Sequence, residues 1–173
     1  MSERHPLVLA IFERAGDAAA AARALHGIGI TRDRISVVAR NHDEEGELAD
    51  QMGATPGADV EDSRPAARLG ELGGLVIAAI AVGLPGIGSI VAAGPLSAGL
   101  GEAAGHVAGG VASVLASAGV PRERAEELEK EVARGAVLLA VHVPERAAAD
   151  DRAIRDALTS AGGRDLDVVN WPA

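Results

Sequence analysis

The sequence contains no cysteine and no tyrosine, one phenylalanine and one tryptophan, so aromatic side chains make up 1% of its 173 residues. Lack of thiols excludes disulfides, thiolate catalysis, cysteine-ligated zinc and iron–sulfur clusters. Lack of aromatics leaves Ala, Val, Leu and Ile to build the core beside 22 glycines, and each of these residues buries little area. Such a chain must gain stability from many small contacts or from a second chain, so a homo-oligomer is expected. Positive charge is also scarce, with 16 Lys and Arg against 25 Asp and Glu and a net charge of -9. That balance opposes a phosphate backbone, and no nucleic-acid partner is expected. The first apolar run, Leu7 to Phe12, is flanked by Glu3, Arg4, Glu13 and Arg14 and is too short for a signal-peptide core. The expected location is cytoplasmic.

From Leu72 to Pro121 charge all but vanishes, Glu102 being the single formal charge. The flanking segments are richer in pattern. LVLAIF at Leu7 to Phe12 predicts a buried strand, Asp17 can cap a helix carrying Ala18 to Ala22 and Leu25, and Gly27 and Gly29 offer its left-handed stop. ISVVA at Ile35 to Ala39 predicts a second strand. The plan recurs with a strand at Ala136 to Val143, a helix opened by Pro144 that carries Ile154 and Leu158 and ends at Gly162-Gly163, and a strand at Leu166 to Val169. Two strand–helix–strand halves in series give the split arrangement of an α+β, ferredoxin-like sandwich. Residues 1–40 and 121–173 form the sandwich, 41–64 an acidic flexible linker, and 65–120 an Ala/Gly-rich helical hairpin insertion broken near Pro85 and at Gly94-Pro95. The amphipathic segment after Pro121 places Ala125, Leu128 and Val132 at helical spacing, pairs Glu126 with Lys130, and stops at Gly135.

The outer strands are apolar at successive positions rather than alternate ones, so both sheet faces need cover. The helices of the two halves cover one face. The glycine-rich insertion or a partner subunit is expected to cover the other.

Three chemistries compete for the uncharged stretch. Gly99 to Gly105, GLGEAAG, is a variant of the dinucleotide fingerprint, but no strand is expected before it and Glu102 would face the phosphates, so no cofactor is assigned. Leu72 to Gly101 is long enough to span a bilayer, and Arg64, Arg68, Arg122 and Arg124 flank the insertion, which keeps a membrane hairpin as the main alternative. Against it stand frequent Gly and Pro, no aromatic belt and a weakly apolar second arm with His106. The favoured reading is packing: Gly101, Gly105 and Gly109 fall on one helix face, remove the side-chain layer and let a second helix approach closely. These three glycines are the self-association candidates.

No catalytic or metal-binding residue is assigned. His5, His26, His42, His106 and His142 show no paired ligand spacing, His42 with Asp43, Glu44 and Glu45 reads as a solvated acidic loop, and His142 between Val141 and Val143 reads as a rim or interface residue. No serine lies in a nucleophile elbow.

The segments LVLAIFERAGDAAAAARALHGIGITRDRISVVAR, IAVGLPGIGSIVAAGPLSAGLGEAAGHVAGG and GVPRERAEELEKEVARGAVLLAVHV resemble a bacterial general stress protein family of the heat-induced type. The likeness covers most of the chain outside 41–64, and the segment leading to Trp171 is less typical. It implies a stress-associated setting and an architecture, without a catalytic motif. Together these readings predict a non-enzymatic stress-associated protein that self-associates through its glycine-rich insertion, with membrane association or binding of a small ligand as alternatives.

Overall fold

The computed structural model of the chain describes residues 4–40, 79–84, 88–97, 110–143 and 151–172. They form one antiparallel sheet with helices on both of its faces. In chain order the elements are β1 (Arg4–Phe12), α1 (Ala15–Gly27), a 3-10 turn (Arg32–Arg34), β2 (Ile35–Arg40), β3 (Ala79–Leu84), β4 (Gly88–Ala93), α2 (Val111–Ser117), α3 (Arg122–Ala133), β5 (Val137–His142), α4 (Asp151–Ser160) and β6 (Arg164–Pro172).

The sheet order is β3-β4-β2-β5-β1-β6, and every neighbouring pair is antiparallel. The two repeated halves therefore share one sheet, as their sequence likeness predicts, with β2 and β5 at its centre. Central strands buried on both faces explain the unbroken apolar runs. Each residue from Leu7 to Phe12 is fully buried, and alternate positions serve different cores. Val8, Ala10 and Phe12 pack with Leu25 of α1 and with Ile154 and Leu158 of α4. Leu7, Leu9 and Ile11 belong with Val111 and Leu115 of α2 and with Ala125, Leu128 and Val132 of α3.

The second face is thus covered by the end of the insertion and by the amphipathic helix after it. Burial of Ala125, Leu128 and Val132 agrees with their spacing, and Gly135 at φ +104° ends the helix. Glu126, however, pairs with Arg122 one turn before it, at 3.2 Å, rather than with Lys130. At the start of α1 the capping position is Arg14, with no side-chain cap, and Asp17 lies in the first turn, where a carboxylate still suits the positive end of the helix dipole. The predicted left-handed stop is at Gly29, φ +93°.

The helical expectation for the insertion fails over Ala79–Leu84 and Gly88–Ala93. AIAVGL and GSIVAA are strands β3 and β4, paired from Ala79↔Ala93 to Leu84↔Gly88, and β4 joins the sheet along Val37↔Ala93 to Arg40↔Ile90 of β2. The physical reason is that Ile and Val recur in both segments and Pro85-Gly86 separates them, while the free edge of β2 supplies hydrogen-bond partners that an isolated Ala/Gly segment lacks. The same strands interrupt any continuous helix over Leu72 to Gly101. Among the described residues no helix is long and apolar enough to cross a membrane. The expected linker at 41–64 and the glycines Gly101, Gly105 and Gly109 lie outside the described residues.

The two ends of the sheet differ in chemistry. At β6, two residues oppose one between the pairs Leu9↔Asp167 and Ile11↔Arg164, a bulge that contains Asp165 at φ +54°. Arg124 of α3 clips this strand, donating from Nε to Asp167 at 2.6 Å, from Nη2 to the Asp165 carbonyl at 3.2 Å and from Nη1 to Glu127 at 2.9 Å. Because the pair is part-buried and shared among three acceptors, Arg124→Met is expected to cost about 1 kcal/mol in urea unfolding. An unchanged midpoint would show that the clip is decorative.

Candidate functional site

One end of the sheet carries two histidines, His5 and His142, and an arginine whose charge reaches His142, Arg34. It comprises the beginnings of β1 and β2 and the end of β5. Strand pairing puts His142 directly opposite Leu7 and Ile35 opposite Val141, and the charge of Arg34, at the end of the 3-10 turn before β2, reaches His142. His5 lies one strand period before Leu7. The pleat therefore directs His142 and His5 to the face that carries Leu7, Leu138 and Ala140, the face covered by α2 and α3. Val143 donates its N–H to the Pro6 carbonyl at 2.8 Å, which closes the β1–β5 ladder at this end and fixes the two histidine strands relative to one another.

Burial differs across the row. His142 is 9% exposed, whereas His5 and Arg34 are half-buried, so the row opens outward from a buried imidazole. Burial, then the charge of Arg34, then His5, lower the His142 pKa from 6.5 to about 4, so it is neutral at pH 7. The Nδ1 atom of His5 is buried and has no hydrogen-bond partner among the described residues. One strand period inward from Arg34, Ser36 is fully buried and its Oγ accepts the Leu96 N–H at 3.0 Å, so its polar atom serves the fold.

The arrangement offers donors and positive charge. Among the described residues no three His, Asp or Glu side chains are placed to hold a metal ion. His26 is exposed at the end of α1, with Nδ1 3.4 Å from the Ile30 carbonyl oxygen, and takes no part in the row. His42 and His106, like the glycine ladder, lie outside the described residues. Sequence reasoning places His142 at a rim but does not join it to His5 and Arg34. Those three residues are far apart in the chain, and the pairing of β1 with β5 brings the two histidines to one end of the sheet.

No protein-family model, curated protein or solved structure matches the chain.

Proposed function

We propose that this chain is a non-enzymatic, stress-associated protein whose core is a ferredoxin-like sandwich and whose inserted hairpin joins one copy to another. The order β2-β5-β1-β6, with α1 and α4 on one face, supports the ferredoxin-like reading of the four strands from the two repeated halves. The stress-associated setting rests on the resemblance of the quoted segments.

The observation that carries self-association is the contrast between the two edge strands. Natural sheets blunt an edge with charge, a bulge or a cover, because an apolar edge invites another strand. β6 has these devices: Arg164, Asp165 and Asp167, a bulge, and the Arg124 clip. β3 ends the sheet among the described residues with AIAVGL, which carries no charge and no proline. A second copy is the occupant that suits it, since two identical apolar strands can pair antiparallel about a two-fold axis. The glycine ladder at Gly101, Gly105 and Gly109 is proposed as an added contact within the same assembly.

Light scattering across a range of concentrations tests this reading. The parent protein is expected at twice the monomer mass, and Ala81→Lys, which adds a charge to the edge, at the monomer mass. A parent that stays monomeric at all concentrations overturns the proposal.

A further inference from the structure

We propose that β6 is a second docking surface for a copy of this chain, held shut by the unit of α2 and α3. The surface stands independently of the β3 edge, and only growth beyond a dimer rests on the pairing proposed there.

Register shows which backbone groups of β6 face outward. Val143 donates its N–H to the Pro6 carbonyl, so the polar groups of Pro6 point toward β5. The N–H and C=O of one strand residue share a side, and hydrogen-bonded and non-bonded pairs alternate along an antiparallel ladder. Pro6↔Asn170 and Val8↔Val168 are therefore non-bonded pairs, and the backbone groups of Val168 and Asn170 face away from β1. Among the described residues β6 has no strand on that side.

Two contacts from one helical unit close most of this edge. Gly119, in the turn between α2 and α3, stands so near β6 that a Cβ there would lie 2.7 Å from the Asn170 carbonyl oxygen. Its φ of +95° and its missing side chain are what let the turn come this close. At the other end Arg124, in the first turn of α3, donates to the Asp165 carbonyl and to the Asp167 carboxylate. Glu129 of α3 accepts the Ala112 N–H at 2.7 Å and ties α2 to the same unit. Val168 is left between the two contacts, 42% exposed and one of two large apolar residues exposed among the described residues.

A second copy is the partner that fits the gap. Antiparallel pairing about a two-fold axis at Val168 sets Val168 against its own copy, Asp167 against Val169 and Leu166 against Asn170. No two like charges are opposed, and the exposed valines cover one another. With Gly119 and Arg124 in place the open run is too short for a strand pair, and release of the unit lengthens it on both sides of Val168.

Mild oxidation of Val168→Cys in the full chain, alone and combined with Arg124→Met, tests the proposal. A clip of this kind is worth about fivefold in an equilibrium constant, so the covalent dimer at position 168 is expected to rise about fivefold on its loss. Arg122→Met removes the neighbouring Arg122–Glu126 pair and leaves the Arg124 contacts with β6 in place, and its yield is expected to match the parent's. If Arg124→Met folds poorly, Asp167→Asn breaks the same charge pair. Light scattering separates this surface from the β3 edge: Arg124→Met is expected to form particles larger than a dimer where β3 also pairs, and dimers linked at position 168 where β3 does not. Val168→Lys added to Arg124→Met is expected to restore the parent's mass, since a lysine blunts an edge. Yields at position 168 that match the parent in both Arg124→Met and Asp167→Asn, that rise equally in Arg122→Met, or a mass that stays raised with Val168→Lys each overturn the surface.

Discussion

Gly94→Ala is expected to be among the most damaging single-methyl changes in this protein. Gly94 follows β4 at φ +82°, and a Cβ built there meets the Ile35 carbonyl oxygen and stands 2.6 Å from the Ser36 Cα, both backbone atoms of a buried central strand. Neither neighbour can rotate away. The left-handed backbone adds its own penalty for any residue with a Cβ. The same turn is held by Ser97, whose N–H and hydroxyl both donate to the Gly94 carbonyl, and by the Leu96 N–H bonded to Ser36. Displacing Gly94 therefore lifts the inserted hairpin from β2. Strain and overpacking together are expected to cost about 3–5 kcal/mol in urea unfolding. Gly16→Ala gives the contrast. Gly16 lies in the first turns of α1 with open space around its Cβ position, so alanine there is expected to be neutral or to stabilise by about 0.5–1 kcal/mol. Equal, small effects at both positions would mean that the β2–Gly94 contact does not hold the hairpin.

The second large effect concerns acid. His142 titrates near 6.5 in the unfolded chain but at about 4 in the folded one, because burial and then Arg34 disfavour its cation. Between those values the unfolded state binds the proton and the folded state does not. The stability from a neutral His142 is thus complete above about pH 6.5, falls steadily as pH drops, and levels off below about pH 4. The loss across that window is expected to be on the order of 2–3 kcal/mol. Denaturant unfolding of the parent and of His142→Leu at several pH values isolates the contribution, since the variant lacks the titrating ring. The parent should lose more stability than the variant on acidification. Parallel curves would place the histidine in a wetter setting than its burial implies.

Much of the sheet was legible in the sequence because its signals are local. The apolar runs at Leu7 to Phe12 and Ile35 to Ala39, the Gly29 and Gly135 stops, and the Ala125, Leu128 and Val132 stripe all lie where their patterns predict. The need for cover on both faces was legible too, from Leu7, Leu9 and Ile11 alternating with the equally apolar Val8, Ala10 and Phe12. The β3–β4 hairpin was not. Its alanines and glycines satisfy a helix as readily as a strand, and the free edge of β2 that decides between them is remote in sequence. The placing of His142 beside His5 was hidden for a related reason, since the pairing of β1 with β5 joins residues far apart in the chain. Gly94 illustrates both sides: a break at Gly94-Pro95 is readable, whereas the backbone of Ile35 pressed against it is not.

Because the chain contains no cysteine, its edge can be probed by introducing one thiol at a time. Single cysteines placed at each position of Ala79–Leu84, with Val168→Cys on the charged β6 edge as reference, are oxidised under mild conditions and the covalent dimer is measured. Two β3 strands paired antiparallel about a two-fold axis bring one position opposite its own copy. Cross-linking is therefore predicted to peak at one residue of β3 and to fall on either side, with little at Val168. Uniformly low cross-linking along β3, or yields at Val168 as high as at the best β3 position, would contradict assembly through this edge.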